Sequence, residues 1–381
     1  MNFDLREKRD ISPFLVDFKE KLKKKVGKKE DPIILVQGGY GKFNTGDDTL
    51  LLVAQKVILS VYPSAKVIAL CYDPQIVKEY FGIDGIYYGS VAAIRSLFIC
   101  DGIVVAGGGL INDVYSNSYI YNLFDPRGKF ALFTSFIVAC RKKFSCIFLV
   151  GIHAIPNFIV YWMMRLTLPR LDVLGVRDID SVNKLKELGI QRYYLAHDAA
   201  LLYSSEEELS KSEIIQKYNL CKEQYVVFNF RFVKEKDISE KVVEILVEYL
   251  FDFHQKYPNY DICMVPFSVH KNNIIENDVI AMQNIKSKLY IKYGVNTTLI
   301  DYYLTPSQVK NIMKYSDFLI LTRHHALVLS YEYHIPTIVI SYNIKCSQFA
   351  QLAEYKYVYD YYNLEKEELV QATNKCMKDM A

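Results

Sequence analysis

The chain has no C-x-x-C pair: its eight cysteines stand singly at positions 71, 100, 140, 146, 221, 263, 346 and 376, several of them inside apolar runs. Isolated thiols in apolar surroundings pack as small hydrophobes, so neither a disulfide framework nor a structural zinc is expected. No other cluster with metal-ligand spacing is apparent, and no metal is expected. Charge of one sign is also scarce. The 46 Lys and Arg against 43 Asp and Glu leave a formal net charge of +3, too little for a global field that would gather nucleic acid. No nucleic-acid partner is expected. Short-period repeats and low-complexity tracts are absent, and with 51% hydrophobic and 23% charged residues the composition is that of a globular protein. The opening residues Met1-Asn2-Phe3-Asp4-Leu5-Arg6-Glu7 are charged where a secretory signal needs an apolar core, which points to a cytoplasmic location.

One stretch, residues 144–164, runs 21 positions without a formal charge if His153 is neutral, long enough to span a bilayer. Gly151, His153, Pro156 and Asn157 interrupt it, so it reads better as a buried strand, a loop and a helix. Its apolar remainder, residues 158–164, could lie on a membrane surface or in the core. The lysine-dense run 19–29 leaves a similar choice: a solvated terminal helix, or contact with an anionic membrane at its inner face.

At 381 residues the chain suits two domains of ordinary size. Short continuous apolar runs, each followed by a turn and an amphipathic helix, are the pattern of parallel α/β proteins. Here they fall at 33–36, 66–71, 102–106, 146–151 and 173–176, with a helix over 49–62. The periodicity lapses over 203–222, rich in Ser, Glu and Lys, and then restarts at 225–230, 261–266, 298–300, 318–322 and 337–341, with helices over 239–257 and 277–293. Two successive α/β series imply two parallel sheets. The expected organisation is a helical extension (1–30), a first Rossmann-like domain (31–205), a second (222–352) and a helical tail (353–381), the two domains facing each other across a cleft.

Three segments could carry chemistry. The loop Gln37-Gly38-Gly39-Tyr40-Gly41-Lys42-Phe43-Asn44-Thr45-Gly46-Asp47-Asp48 leaves the carboxyl end of the first strand, where open α/β sheets bind ligands. It lacks both the G-K-[ST] of a P-loop and the G-x-G-x-x-G of a dinucleotide fold, so a plain turn with Asp47 or Asp48 capping a helix explains it as well. Gly107-Gly108-Gly109, with Asp113 one helical turn on, is a second glycine-rich exit. The third is Thr322-Arg323-His324-His325-Ala326, where Thr322 would cap a helix and place Arg323, His324 and His325 in its first turn. Positive charge there opposes the helix dipole unless an anion is bound, and that conflict marks a functional site. Lys345, past the next strand, and Arg231, past the strand 225–230, would emerge at the same sheet edge.

Taken together these residues resemble the polysaccharide pyruvyl transferase family. The resemblance rests on Gly38 to Asp47, on Gly107 to Asp113, on Arg177-Asp178-Ile179-Asp180-Ser181 and on Ala196-His197-Asp198-Ala199. In the second half it rests on Arg323-x-His325, Pro336 and Ser341-Tyr342-x-x-Lys345, and it spans residues 33–352. His324 departs from the aliphatic residue common at that place, and Gly151 to Pro156 matches the family's glycine-proline turn only loosely. The resemblance implies a glycosyltransferase-B-like fold and transfer of the pyruvyl group of phosphoenolpyruvate onto two hydroxyls of a cell-surface saccharide or its precursor, giving a cyclic ketal and phosphate. Phosphoenolpyruvate would be a co-substrate, with no cofactor. The acceptor could be lipid-linked, nucleotide-linked or polymeric.

By motif position Arg323, His325 and Lys345 match the family's donor-side residues, and Arg231 is a looser match to a donor-binding arginine. A phosphate and a carboxylate suit bidentate arginines and a lysine, and C3 of the donor must be protonated before C2 accepts a hydroxyl. His325 is the candidate acid, Asp47 and Asp113 the candidate bases. His324, Gly38, Asn44, Gly46, Gly107, Gly108 and Gly109 are candidates for substrate binding. Two other readings stay open: a nucleotide-sugar-dependent glycosyltransferase of the same fold, and a saccharide-binding protein without catalysis.

Overall fold

The computed structural model describes residues 10–111, 128–152, 158–205 and 207–380. The chain divides into two compact units, one formed by the residues up to Lys42 with Asp47–Tyr203, the other by Phe43–Gly46 with the residues from Ser204 onward.

In the first unit the described elements are α1 (Ser12–Val26), β1 (Ile33–Gln37), α2 (Thr45–Leu59), β2 (Lys66–Cys71), α3 (Pro74–Phe81), β3 (Asp84–Tyr87) and α4 (Val91–Ile99). They continue with β4 (Gly102–Ala106), α5 (Lys129–Cys140), β5 (Phe144–Val150), α6 (Phe158–Thr167), β6 (Val173–Val176), α7 (Ile179–Glu187) and β7 (Tyr194–Leu195). All strands run parallel in the order β3-β2-β1-β4-β5-β6-β7. A parallel sheet covered on both faces needs strands apolar on both sides, which is why Val36, Val104, Val105, Cys146 and Ile147 are all buried.

Strand alternation sorts the helices. Leu35, Ile103, Val105, Ile147 and Leu174 face α4, α5 and α6 through Leu97, Leu132, Val138, Val160 and Met164. Phe144 and Phe148 face the other way and meet α1, whose Phe18 ring packs edge-on against both at 5.2 and 5.4 Å. Phe14 joins them over Gly175, where a Cβ would overlap its ring. Residues 12–26 are therefore part of this unit's packing. The lysine run is tied down in part: Lys21 and Lys25 reach Asp17 and Asp172 at 2.7 and 3.1 Å, and Lys29 pairs with Asp101.

The second unit contains α8 (Lys211–Lys217), β8 (Gln224–Phe228), α9 (Lys236–Lys256), β9 (Tyr260–Met264), α10 (Asp278–Tyr293), β10 (Thr298–Leu299) and α11 (Pro306–Lys314). After these come β11 (Phe318–Leu321), α12 (His324–Ser330), β12 (Thr337–Ser341), α13 (Ile344–Leu352), β13 (Tyr357–Asp360) and α14 (Lys366–Met380). Its parallel sheet has the order β10-β9-β8-β11-β12-β13. Its core gathers Val226, Phe228, Leu246, Leu250, Met264, Ile285 and Ile320. Capping boxes fix two helix starts, Ser210 with Glu213 and Thr305 with Gln308.

Several boundaries differ from the sequence reading. Helix α2 begins at Thr45, four residues before position 49, because Asn44 accepts the Gly46 N–H at 3.1 Å and starts the helix inside the glycine-rich loop. Asp47 and Asp48 thus lie in its first turn and do not cap it. The segment 353–381 is more than a helical tail: Tyr357–Asp360 pairs with β12 as an edge strand. Like β3 and β7, it is a half-exposed edge strand of two to four residues, with too few positions to show a period. The interrupted run 144–164 does separate into β5 and α6, and among the described residues no helix is long and apolar enough to cross a membrane.

Phe18→Ala should lower stability by about 3–5 kcal/mol, the range for deleting a buried aromatic. Urea unfolding checks this, and an unchanged midpoint would show α1 to be a dispensable extension.

Candidate active site

In the second sheet the strand order reverses between β8 and β11, and ligands of open α/β sheets bind at the carboxyl ends of strands at such a point. Asn229 and Arg231 leave β8 there, and Thr322 and Arg323 leave β11. Asn229 is fully buried and joins the two exits. Its side-chain oxygen accepts from the Arg323 N–H at 3.1 Å and from the Thr322 hydroxyl at 3.2 Å, while its amide donates to Val265 O and to Asp278.

Arg323 is the N-cap residue of α12, one place later than Thr322, whose hydroxyl is drawn to Asn229. Its guanidinium lies along Asp278, donating from Nε at 3.0 Å and from Nη2 at 2.6 Å, and reaches Glu276 from Nη1 at 3.0 Å. Arg231 donates to the other oxygen of Glu276 at 3.0 Å and to the Tyr342 hydroxyl at 3.1 Å, with its guanidinium 4.5 Å above the Tyr342 ring. The conflict that positive charge at this helix start poses is thus answered within the chain: two carboxylates balance two arginines. Burial works against the charged form of Glu276, but Arg323 and Arg231 outweigh it and hold its carboxyl down at about 2. Arg323 in turn is pushed above its ordinary value by Asp278 and Glu276 despite its burial.

The motif reading did not include Asn229, Glu276, Asp278 or Tyr342 among the site residues. Glu276-Asn277-Asp278 carries a signal in hindsight: two acids around an Asn that caps α10, just past β9, the neighbour of β8. Tyr342 lay inside the quoted Ser341-Tyr342-x-x-Lys345 pattern.

Lys345 sits half-buried in the first turn of α13, capped by Asn343, and the adjacent Cys346 thiol approaches the Thr322 carbonyl at 3.5 Å. The β12 and β11 exits therefore meet beside Arg323. His324 and His325 occupy the first turn of α12, their rings 5.2 Å apart and edge to face, with Phe349 against His324. The second unit also holds the segment Phe43–Gly46. Thr45 is bound at both ends, its N–H to Phe267 O at 2.9 Å and its hydroxyl to Leu304 O at 2.8 Å. This places Gly46 against His325 so closely that a Cβ there would overlap imidazole Nδ1. Gly46 thus shapes the seat of the imidazole.

The first unit has its own reversal between β1 and β4, where Gly38 and Gly107 leave the sheet. A Cβ on Gly38 would overlap Ala106 O, and one on Gly39 would stand 2.7 Å from Asp47 Oδ2, so the carboxylate of Asp47 rests on the loop backbone. A Cβ on Gly107 would overlap Leu110, while Gly108 O accepts the Gly151 N–H at 2.9 Å and Gly109 is half-buried. Asp113 lies outside the described residues. The other motifs of this half prove to be joined. Arg177 makes a buried ion pair with Asp198, and Asp178 caps α7 by accepting the Ser181 N–H at 2.8 Å.

Two parallel-sheet α/β units of this kind define the glycosyltransferase-B-like class. UDP-GlcNAc 2-epimerase from Methanocaldococcus jannaschii shares the fold with a TM-score of 0.61 at 13% identity, over 90% of this chain and 91% of the other. The Neisseria meningitidis UDP-GlcNAc 2-epimerase follows at 0.57 and 12%, over 91% of each chain, and a glycosyltransferase from Rickettsia africae at 0.54 and 13%, over 93% and 90%. No curated protein matches the sequence. Within that class the chain belongs to the polysaccharide pyruvyl transferase family, whose model matches residues 44–344.

Because the Glu276 carboxyl is depressed from 4.5 to about 2, its pairing contributes stability that is present above about pH 4.5 and lost as pH falls toward 2. Between about pH 5 and pH 2 the wild type should lose on the order of 3 kcal/mol more than Glu276→Gln. Chemical denaturation across that range measures it, and parallel losses in the two proteins would contradict the pairing.

Proposed function

We propose that the chain transfers the pyruvyl group of phosphoenolpyruvate onto two hydroxyls of a saccharide acceptor, forming a cyclic ketal and releasing phosphate. The family supplies a transferase acting on polysaccharide. The observation that favours this donor is the pair Arg231 and Arg323, which already grips a carboxylate, that of Glu276, with one guanidinium on each oxygen. A donor carrying a carboxylate and a phosphate would take up those guanidinium edges as Glu276 gives way, while Asp278 keeps Arg323 oriented. Lys345 would add a point charge for the phosphate, and these cations would neutralise the leaving group.

His325 would deliver a proton to C3, turning the methylene into a methyl and C2 into an electrophile. One sugar hydroxyl adds to C2 and loses its proton to a base, for which Asp47 and Asp113 are the candidates by motif position. A second hydroxyl then displaces phosphate from the same carbon, its proton passing to the leaving phosphate. A dianionic phosphate near His325 favours imidazolium, so donor binding would help load the proton. The acceptor fits a precursor of a cell-surface polysaccharide, met by a peripheral enzyme at the membrane when that precursor is lipid-linked.

Phosphate release from phosphoenolpyruvate, measured with lipid-linked and nucleotide-linked saccharides, tests the donor. Release of a nucleotide from a nucleotide sugar in its place would favour a glycosyltransferase, and acceptor binding without turnover a silent binding protein. His325→Gln should lower kcat by about 10²–10⁴-fold, the usual contribution of general acid catalysis, with donor affinity retained. Near-normal turnover would refute the assignment, and a collapse confined to His324→Gln would transfer the role to His324.

A further inference from the structure

Helices α4, α5 and α6 lie side by side on one face of the first sheet, and their sequences contain no Asp or Glu. The chain as a whole has no acidic residue at positions 85–100 or between Asp125 and Asp172. A solvated helix ordinarily carries charges of both signs on its outer face. Helix α6 instead is apolar twice over. Val160, Met164 and Thr167 are buried against the core, whereas Phe158, Trp162 and Leu166, spaced four apart on the opposite side, are 73%, 45% and 48% exposed.

Arginines accompany rings on this face, of which Trp162 and Phe98 are exposed and Phe136 is half-buried. Arg165 lies 5.5 Å from the Trp162 ring, Arg170 5.7 Å from Phe136 on α5, and Arg141 5.7 Å from Phe98 at the end of α4. Apolar side chains at the level of aromatic rings, with guanidinium groups beside them and no Asp or Glu on the three helices, match the layered chemistry of a bilayer interface: acyl chains, then glycerol, then anionic phosphate.

We infer that this face docks on the surface of an anionic phospholipid bilayer, with α6 in the plane of the headgroups. Charge decides against a second copy of the chain, because an isologous contact would set arginine-bearing helices without a single Asp or Glu against themselves. A polyanionic saccharide would satisfy the arginines and stack on an aromatic ring, but it would leave the aliphatic Leu166 in water. The exposed lysines of α1 do not belong to this surface, since α1 covers the opposite face of the same sheet, so a flat membrane cannot engage both. The inference does not depend on which donor the enzyme uses.

Flotation of the full chain with vesicles of equal parts phosphatidylglycerol and phosphatidylcholine tests it. Binding should be strong at low salt, fall as salt rises, and be weak on phosphatidylcholine alone. Trp162→Ser with Leu166→Ser, or Arg165→Glu with Arg170→Glu, should each reduce partitioning by at least about tenfold. These side chains are exposed, so neither change removes core packing. Lys23→Glu with Lys24→Glu should bind as the wild type does. The inference is overturned by absence of flotation, by loss of binding in the lysine variant with retention in the arginine variant, or by a solution dimer that Trp162→Ser dissociates.

Discussion

Removing a carboxylate from water costs several kcal/mol unless its lone pairs are taken, and in this chain those of Asp278 are taken by groups from three other segments. The amides of Phe267 and Ser268 donate from beyond β9, Asn229 from the end of β8, Arg323 from the end of β11, and Asp278 itself opens α10. This one buried anion therefore sets the positions of the strand exits around the reversal of the second sheet. Replacing it would leave a buried guanidinium without its partner, a loss typically worth about 3–5 kcal/mol. Glu276, two residues earlier and 28% exposed, is the less enclosed counterpart in the same arrangement, held by its ion pairs to Arg231 and Arg323.

A division of labour follows from that difference in burial. Asp278 orients Arg323, and through Asn229 it also fixes the backbone from which His324 and His325 project. Glu276 occupies the guanidinium edges of Arg231 and Arg323 that an incoming anion would need. Two carboxylates thus keep two arginines together, where mutual repulsion would otherwise drive them apart. Gly46 gives the imidazole of His325 a seat no other residue could leave open.

Most of the strands that build the two sheets were legible in the sequence, because a buried parallel strand is a continuous apolar run bounded by turns. Three edge strands, β3, β7 and β13, were not, since pairing on one side leaves them short and half-exposed. Arg323, His324 and His325 were legible through a local contradiction, cationic residues where a helix starts, and Arg231 through its place just past a strand. Their counter-ions were not, because Glu276 and Asp278 lie 45 or more residues from their partners and look like an ordinary acidic helix start. The start of α2 was hidden for a related reason: Asn44 initiates it within a glycine-rich stretch that reads as loop. The outward face of α6 was visible only as part of one uncharged run, 144–164, until the packing showed which of its side chains face outward.

The assignment of Arg231 and Arg323 to the donor rests on Glu276 standing in for the donor's own anion. Calorimetric titration of phosphoenolpyruvate into the wild type and into Glu276→Gln addresses that substitution directly. The expected result is tighter donor binding by the variant, because an internal competitor for both guanidinium groups has lost its charge while Asp278 still orients Arg323. Equal affinity in the two proteins, or weaker binding by the variant, would contradict it and make the arginine pair a structural feature of the second sheet alone.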